Sequence, residues 1–266
     1  PTLIAASMIL FIAINVVPGS AARSALGVDA TPQAIMRFEA MNGLDRPLYE
    51  QYFTFLGNIL QGDLGRSFVF GMPVMELIFS RLPATLELTL VAVIGATLIG
   101  VPLGIYAGYR PDTFLSKAIM TISILGFSVP TFWIGLILIL FFAVHLGWLP
   151  AGSRGETREF QGVEWSVLTL NGWQHLLLPA LNLSLFKLAM MIRLARAGPR
   201  EIVLTDTIKF ARAAGLSEGT ILRRHVLKLI AIPIVTVFGL EFGSTLAFAV
   251  VTETIFSWPG VGKLII

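Results

Sequence analysis

The residues of this chain whose types suit chemistry are few. They are Lys187 and Glu241 inside apolar runs, the histidines His145, His175 and His225, and a tail reading Gly260-Val261-Gly262-Lys263. The tail looks like the end of a phosphate-binding loop. Such a loop needs a first glycine separated by four residues from its Gly-Lys pair, and Ser or Thr after the lysine. Here Ser257 and Leu264 occupy those places, so the run is not a nucleotide site. The three histidines lack metal-ligand spacing, and the topology derived below puts His225 on the opposite face from His145 and His175. There is no cysteine, which excludes disulfides and thiolate chemistry. No G-x-S-x-G or H-E-x-x-H pattern is present, which counts against an intramembrane hydrolase. Lys187 and Glu241 stand out because a charge near a bilayer midplane costs at least about 2.5 kcal/mol. The two either pair or face a water-filled pathway; the plainer alternative is a lysine snorkelling along its stem.

The elements that hold these two charges follow from composition. The chain has 266 residues, 55% of them apolar, and only 13% charged against about 25% in a soluble domain. Mean hydropathy is +0.81. A soluble enzyme of this size needs far more polar residues to cover its surface, so the sequence describes an all-α polytopic membrane protein. A span needs about 20 mostly apolar residues, and five candidates are predicted: Leu3–Val17, Leu88–Tyr109, Ala118–His145, Leu176–Ala195 and Leu229–Val251. The first runs off the start of the sequence with neither a starting Met nor a basic flank, so the N-terminus is expected to lie upstream. Ser20, Ala21 and Ala22 also resemble a signal-peptide cleavage site. Lys187 and Glu241 fall midway along antiparallel spans and hence at similar depth. Gly100, Gly104 and Gly108 form a small-residue stripe that fits close helix packing and the ordinary glycine enrichment of membrane helices equally well.

Loop charge sets the orientation. Arg193–Lys228 holds eight basic residues against three acids, whereas Pro18–Glu87 holds five against seven and Leu146–Gln174 two against three. The positive-inside rule puts Arg193–Lys228 and Arg110–Lys117 in the cytoplasm and the other two segments outside. In the outer segment, Thr31-Pro32 predicts a helix start and Asn42-Gly43 its stop. Asp45 and Pro47 open a second helix, with an apolar stripe of Leu48, Tyr52, Phe55, Leu56, Ile59 and Leu60 that rests on the membrane or on span ends. Leu146–Gln174 reads as a long polar loop. The net charge of +3 sits mainly in one loop, and nothing supports nucleic-acid binding.

That basic loop carries the most information. Between Thr207 and His225 a helix-favouring run, Lys209–Ala214, meets a breaker, Gly215; Ser217 and Glu218 then start a second helix toward Leu229. Two short helices hinged at a glycine suit docking into a partner's cleft. They suit lying on anionic lipid equally well.

The segment A-R-A-A-G-L-S-E (Ala211–Glu218), with R-H-V-L-K (Arg224–Lys228) and I-P-I-V-T-V (Ile232–Val237), resembles the cytoplasmic loop of ABC-importer permeases, especially the dipeptide/oligopeptide/nickel subgroup. G-L-D-R-P-L-Y-E-Q-Y (Gly43–Tyr52), G-D-L-G-R-S (Gly62–Ser67) with L-P-A-T-L-E-L (Leu82–Leu88), and T-E-T-I-F-S-W-P-G-V-G (Thr252–Gly262) agree, in order, across nearly the whole chain. The resemblance implies a type I ABC importer transmembrane fold across residues 1–266, with residues 18–87 outside, 196–228 as the cytoplasmic coupling loop, and a sixth span after Ile266. It implies that Lys209, Phe210, Ala211, Arg212, Ala213, Ala214, Gly215, Leu216, Ser217 and Glu218 form a coupling helix that enters a groove on a separate ATPase. This chain would then hold no cofactor and catalyse nothing itself, ATP and magnesium residing on the partner ATPases. The implied partners are a second homologous permease, two ATP-binding subunits, an external substrate-binding protein and the lipid of a bacterial or archaeal cytoplasmic membrane. Cargo would be dipeptides, longer peptides, glutathione-like peptides, nickel chelates or oligosaccharides. An ion-coupled secondary transporter is the alternative that Lys187 and Glu241 alone suggest. The chain departs from the family pattern at Ser20, where an acidic residue is usual, at Ala214, where Lys is common, and at Glu241, where Gln is common.

Overall fold

A computed structural model of the chain describes residues 2–16, 21–27, 29–67, 69–202 and 205–265; Val17 and Ser20, singled out above, and the side chains of Ala21 and His225 lie outside the described set. The residues form two compact units, Pro1–Ser80 and Arg81–Ile266.

The first unit holds α1 (Thr2–Val16), α2 (Ala21–Leu26), α3 (Pro32–Met41) and α4 (Leu48–Leu60). Helix α3 begins and ends where its punctuation predicts. The Thr31 hydroxyl accepts the Ala34 amide at 3.3 Å, Pro32 takes the first helical place, and Asn42 closes the helix before Gly43 at φ +66°. Part of the apolar stripe of α4 meets α1, the Phe11 ring lying 5.4 Å from Tyr52 and 5.8 Å from Phe55, while Leu48, Phe55, Ile59 and Leu60 remain exposed. The Tyr52 hydroxyl sits 3.0 Å from Ser7 Oγ and donates to the Ile4 carbonyl at 3.2 Å.

Helix α5 (Val74–Tyr109) has 36 residues, about 54 Å of helix. It begins 14 residues before the apolar run that betrays it, because Pro83 and the polar Glu76 and Arg81 disguise its first turns. After it come α6 (Phe114–Ser128) and α7 (Thr131–Leu138), the latter continued by a π-helical segment, Ile139–His145. These were expected to form one straight span. Instead the chain turns by 107° between Phe114–Gly126 and Thr131–His145. Pro130 explains the break: it forces Val129 out of helical dihedrals, to φ −100° and ψ 129°. The expected polar loop folds into a small hairpin, β1 (Arg158–Phe160) against β2 (Val163–Trp165), turning on Gln161 and Gly162, both at positive φ.

Then follow α8 (Leu170–Ile202), α9 (Asp206–Ala213), α10 (Glu218–Ile221), a π-helical segment (Leu222–Val226), α11 (Leu227–Phe248) and α12 (Val250–Ile255). Among the described residues α5, α8 and α11 are each long and apolar enough to cross a membrane, and the bent α6–α7 pair makes a fourth. Helix α1, at 15 residues, is shorter and equally apolar.

Helix α8 is the hub of the second unit, packing on α6, α7, α11 and α12. Against α5 the contact is backbone to backbone. A Cβ on Gly100 would lie 2.8 Å from Met191 Cβ, one on Gly104 2.4 Å from the Ile192 carbonyl, and one on Gly108 2.4 Å from the Arg196 carbonyl. The stripe therefore serves packing, and its paired advance along both helices makes α5 and α8 parallel. Leu98, Ile122, Leu140, Ile232, Leu240 and Phe248 are 62–77% exposed, which suits hydrocarbon surroundings and further helices rather than water.

Candidate functional site

The basic loop is a folded knob with its own core. Helix α9 ends in a Schellman motif: the Leu216 amide donates to the Ala211 carbonyl and the Gly215 amide to that of Arg212, at 3.1 and 3.0 Å. Gly215, at φ +81°, supplies the left-handed residue this closure needs. Ser217 then caps α10 by accepting the Thr220 amide. Ile208, Ala211, Ile221 and Val226 are buried together, so the two arms cannot splay. Arg212 adds a polar clip, its guanidinium donating to both carboxylate oxygens of Glu218, at 2.9 and 3.4 Å, and to the Tyr109 hydroxyl at the end of α5, 3.2 Å away. The Lys209–Asp206 pair is exposed and contributes little.

Of the ten residues singled out here, Lys209, Phe210, Arg212, Ala213, Ala214, Gly215, Leu216, Ser217 and Glu218 lie on the knob's open surface, while Ala211 points into its core, one turn on from Ile208. Phe210 is 75% exposed. The second arm does not stop as a short helix. It runs through the π-helical segment straight into α11, so the knob and a membrane span are one helical run from Glu218 to Phe248.

Lys187 on α8 and Glu241 on α11 form an ion pair, each side chain 12% exposed. The ammonium also donates to Ser244 Oγ at 3.1 Å and lies 5.5 Å from the centre of the Phe186 ring. Ser244 and Thr245 in turn donate to the Glu241 carbonyl, which fixes the rotamers around the carboxylate.

At the other end of α5 two carboxylates are buried that sequence reading passed over. Glu87, 2% exposed, accepts from Arg154 Nη2 at 2.9 Å, from the Ser166 amide at 3.0 Å and from the Ser166 hydroxyl. Arg154 also donates to the Glu164 carbonyl, tying the hairpin to α5. Glu253 of α12 is fully buried. It accepts the Thr85 hydroxyl at 2.6 Å and the Lys263 amide at 3.1 Å, while Thr85 Oγ1 takes the Val261 amide. Trp258 Nε1 donates to the Ala84 carbonyl. Two of the family-like stretches, Leu82–Leu88 and Thr252–Gly262, are thus one packed unit. The glycines that imitate a phosphate loop make room for a carboxylate: a Cβ on Gly260 would fall 2.1 Å from Glu253 Oε1. The signal available in sequence was a glutamate within each stretch, with nothing to mark it as buried. The histidines serve locally: His175 Nδ1 is 2.7 Å from the Gly152 carbonyl and His145 stacks on Phe141.

Removing one member of the Glu87–Arg154 pair leaves a charge buried without its counter-ion, which costs about 3 kcal/mol. Arg154→Met is therefore expected to lower the melting temperature of the detergent-solubilised subunit clearly. The double variant Arg154→Met/Glu87→Gln is expected to recover much of the loss. A double variant worse than Arg154→Met alone would contradict the assignment.

These features define a class: a polytopic helical membrane protein with a folded basic knob continuous with a span. Comparison with known proteins makes the assignment specific. Residues 100–266 match the family described as the binding-protein-dependent transport system inner membrane component, and residues 2–89 match its N-terminal companion. Over its whole length the chain is 37% identical to the dipeptide transport system permease protein DppB of Alkalihalophilus pseudofirmus, covering 83% of that protein. It is 38% identical to the di/tripeptide permease DppB of Pseudomonas aeruginosa, again over all of this chain and 83% of the relative. To the glutathione permease GsiC of Escherichia coli K12 it is 36% identical, over all of this chain and 82% of the relative. An inward-facing structure of the MetNI methionine ABC transporter shares the fold, with a TM-score of 0.55 at 17% identity over 72% of this chain and 79% of that one. The chain belongs to the binding-protein-dependent inner membrane component family, and it is a permease subunit with the type I ABC importer transmembrane fold.

Proposed function

We propose that this subunit carries di- and oligopeptides across the cytoplasmic membrane, delivered by an external binding protein and driven by ATP hydrolysed on two separate subunits, in company with a second permease. The relatives named for dipeptide, di/tripeptide and glutathione transport support the cargo class. The observation that carries the mechanism is the continuity of the knob with α11. In this reading the exposed face from Lys209 to Glu218 docks on the ATPase. Closure of the ATPases around ATP displaces the knob, and the displacement reaches Glu241 through an uninterrupted helix. Lys187 and Glu241 line the pathway that opens alternately to either side. Nucleotide drives this exchange only by binding one arrangement more tightly than the other. Residues 62–67, of which Asp63, Leu64 and Gly65 line a cleft of about 470 Å³ in the first unit, and residues 252–262 face the binding protein.

The test is a mild-detergent pull-down of the subunit from its native membrane, with copurifying chains identified by mass. ATP-binding subunits, a second permease and a binding protein are the expected companions. A well-folded subunit that brings down no ATPase overturns the reading in favour of ion-coupled transport.

A further inference from the structure

In the stretches 3–16, 88–109, 118–144, 176–192 and 229–248, Lys187 and Glu241 are the only acidic or basic side chains. Their hydrogen bonding is incomplete. The ammonium is held by Glu241 Oε2 and Ser244 Oγ, and the single Ser244 hydroxyl hydrogen is shared between the Glu241 carbonyl at 3.0 Å and Oε2 at 3.3 Å. That leaves one Nζ–H of Lys187, and Oε1 of Glu241, without a hydrogen-bond partner among the described residues. Each side chain keeps 12% of its surface exposed. The pair therefore presents one free cationic donor beside one free anionic acceptor, midway along two spans, with zero net charge.

We propose that Lys187 and Glu241 together read the free amino and carboxyl ends of a short peptide as it passes the middle of the membrane. The inference rests on the peptide-importer reading above. A zwitterion crossing a low-dielectric region needs each end compensated. The cargo ammonium takes Glu241 Oε1 and the cargo carboxylate takes the free Nζ–H, giving four alternating charges. No charge is stranded when the cargo leaves, because the internal pair stays closed. Two residues of extended chain span at most about 7 Å, so both ends of a dipeptide reach one ion pair. The ends of a longer peptide reach it only if the chain folds back. Glu241 thus reads as a specificity residue.

The test uses the complete importer with its binding protein in membrane vesicles, and three labelled cargoes: dialanine, N-acetyl-dialanine and dialanine amide. For each cargo the ratio of variant to wild-type uptake is taken, which cancels the binding protein's own preference. Glu241→Gln is expected to reduce dialanine amide and dialanine uptake about tenfold more than N-acetyl-dialanine uptake, because only the anionic end keeps its partner. Lys187→Met is expected to reduce dialanine and N-acetyl-dialanine uptake about tenfold more than dialanine amide uptake. The double variant Lys187→Met/Glu241→Gln, which strands no charge and guards against misfolding, is expected to hit dialanine hardest of the three. Equal loss of all three cargoes in every variant reduces the pair to a brace between α8 and α11 and overturns the proposal. If wild-type vesicles accumulate none of the three, the peptide-importer reading itself has failed.

Discussion

Gly215→Asp is expected to leave the subunit in the membrane at wild-type abundance while cutting ATP-driven uptake at least tenfold, about what a 1.4 kcal/mol loss of docking produces. The position separates folding from docking. Gly215 sits at φ +81°, where aspartate is among the side chains that pay least, about 1 kcal/mol. A Cβ there meets nothing within 4 Å. The knob's core, Ile208, Ala211, Ile221 and Val226, is untouched. What changes is the outer surface, which gains bulk and a negative charge between Phe210 and Glu218. Uptake assayed beside immunoblots of membrane abundance checks the claim, and copurified ATPase is expected to fall in parallel. Normal uptake at normal abundance would falsify the docking role.

The second large effect concerns assembly of the span bundle. Gly104→Val is expected to abolish recovery of a monodisperse subunit in detergent, a loss above 3 kcal/mol. Its Cβ would stand 2.4 Å from the Ile192 carbonyl and 2.7 Å from Ala195 Cβ, and a backbone oxygen cannot rotate away. Gly95→Val on the same helix is the control, since a Cβ at Gly95 meets nothing within 4 Å. Size-exclusion profiles and melting temperatures of the two variants are expected to separate widely. Equal behaviour would mean that the α5–α8 contact contributes little to stability.

The features legible in sequence were those whose physics is local or whose cost is large. Thr31-Pro32 and Ser217 announce helix starts because a capping oxygen acts within three residues. Lys187 and Glu241 drew attention because charge inside a span is expensive, and antiparallel spans of matched depth suggest a meeting. The glycine stripe was visible by spacing, though only the structure decides that α8 fills it. What stayed hidden depends on partners distant in sequence. Glu87 meets Arg154 across 67 residues and Glu253 meets Thr85 across 168, and nothing local marks either acid as buried. The bend after Ser128 was masked differently: an apolar stretch reads as one span whether or not Pro130 breaks it. The hairpin escaped because Gln161-Gly162 is not among the strongest turn pairs.

The helical run from Glu218 to Phe248 has a mechanical meaning. Its 31 residues measure about 46 Å, so a tilt of about 5° about the knob sweeps the far end through roughly 4 Å. That is longer than any hydrogen bond. If the knob docks as proposed, a rotation there too small to disturb its own core is geared up, at the far end of the run, into the making or breaking of a contact. Glu241 lies about three quarters of the way along this arm and moves by about 3 Å for the same tilt. In that reading one continuous element sets the ratio between the stroke at one face and the aperture at the other, and its π-helical turn and Pro233 are where lengthening or softening it would retune the machine without altering either end.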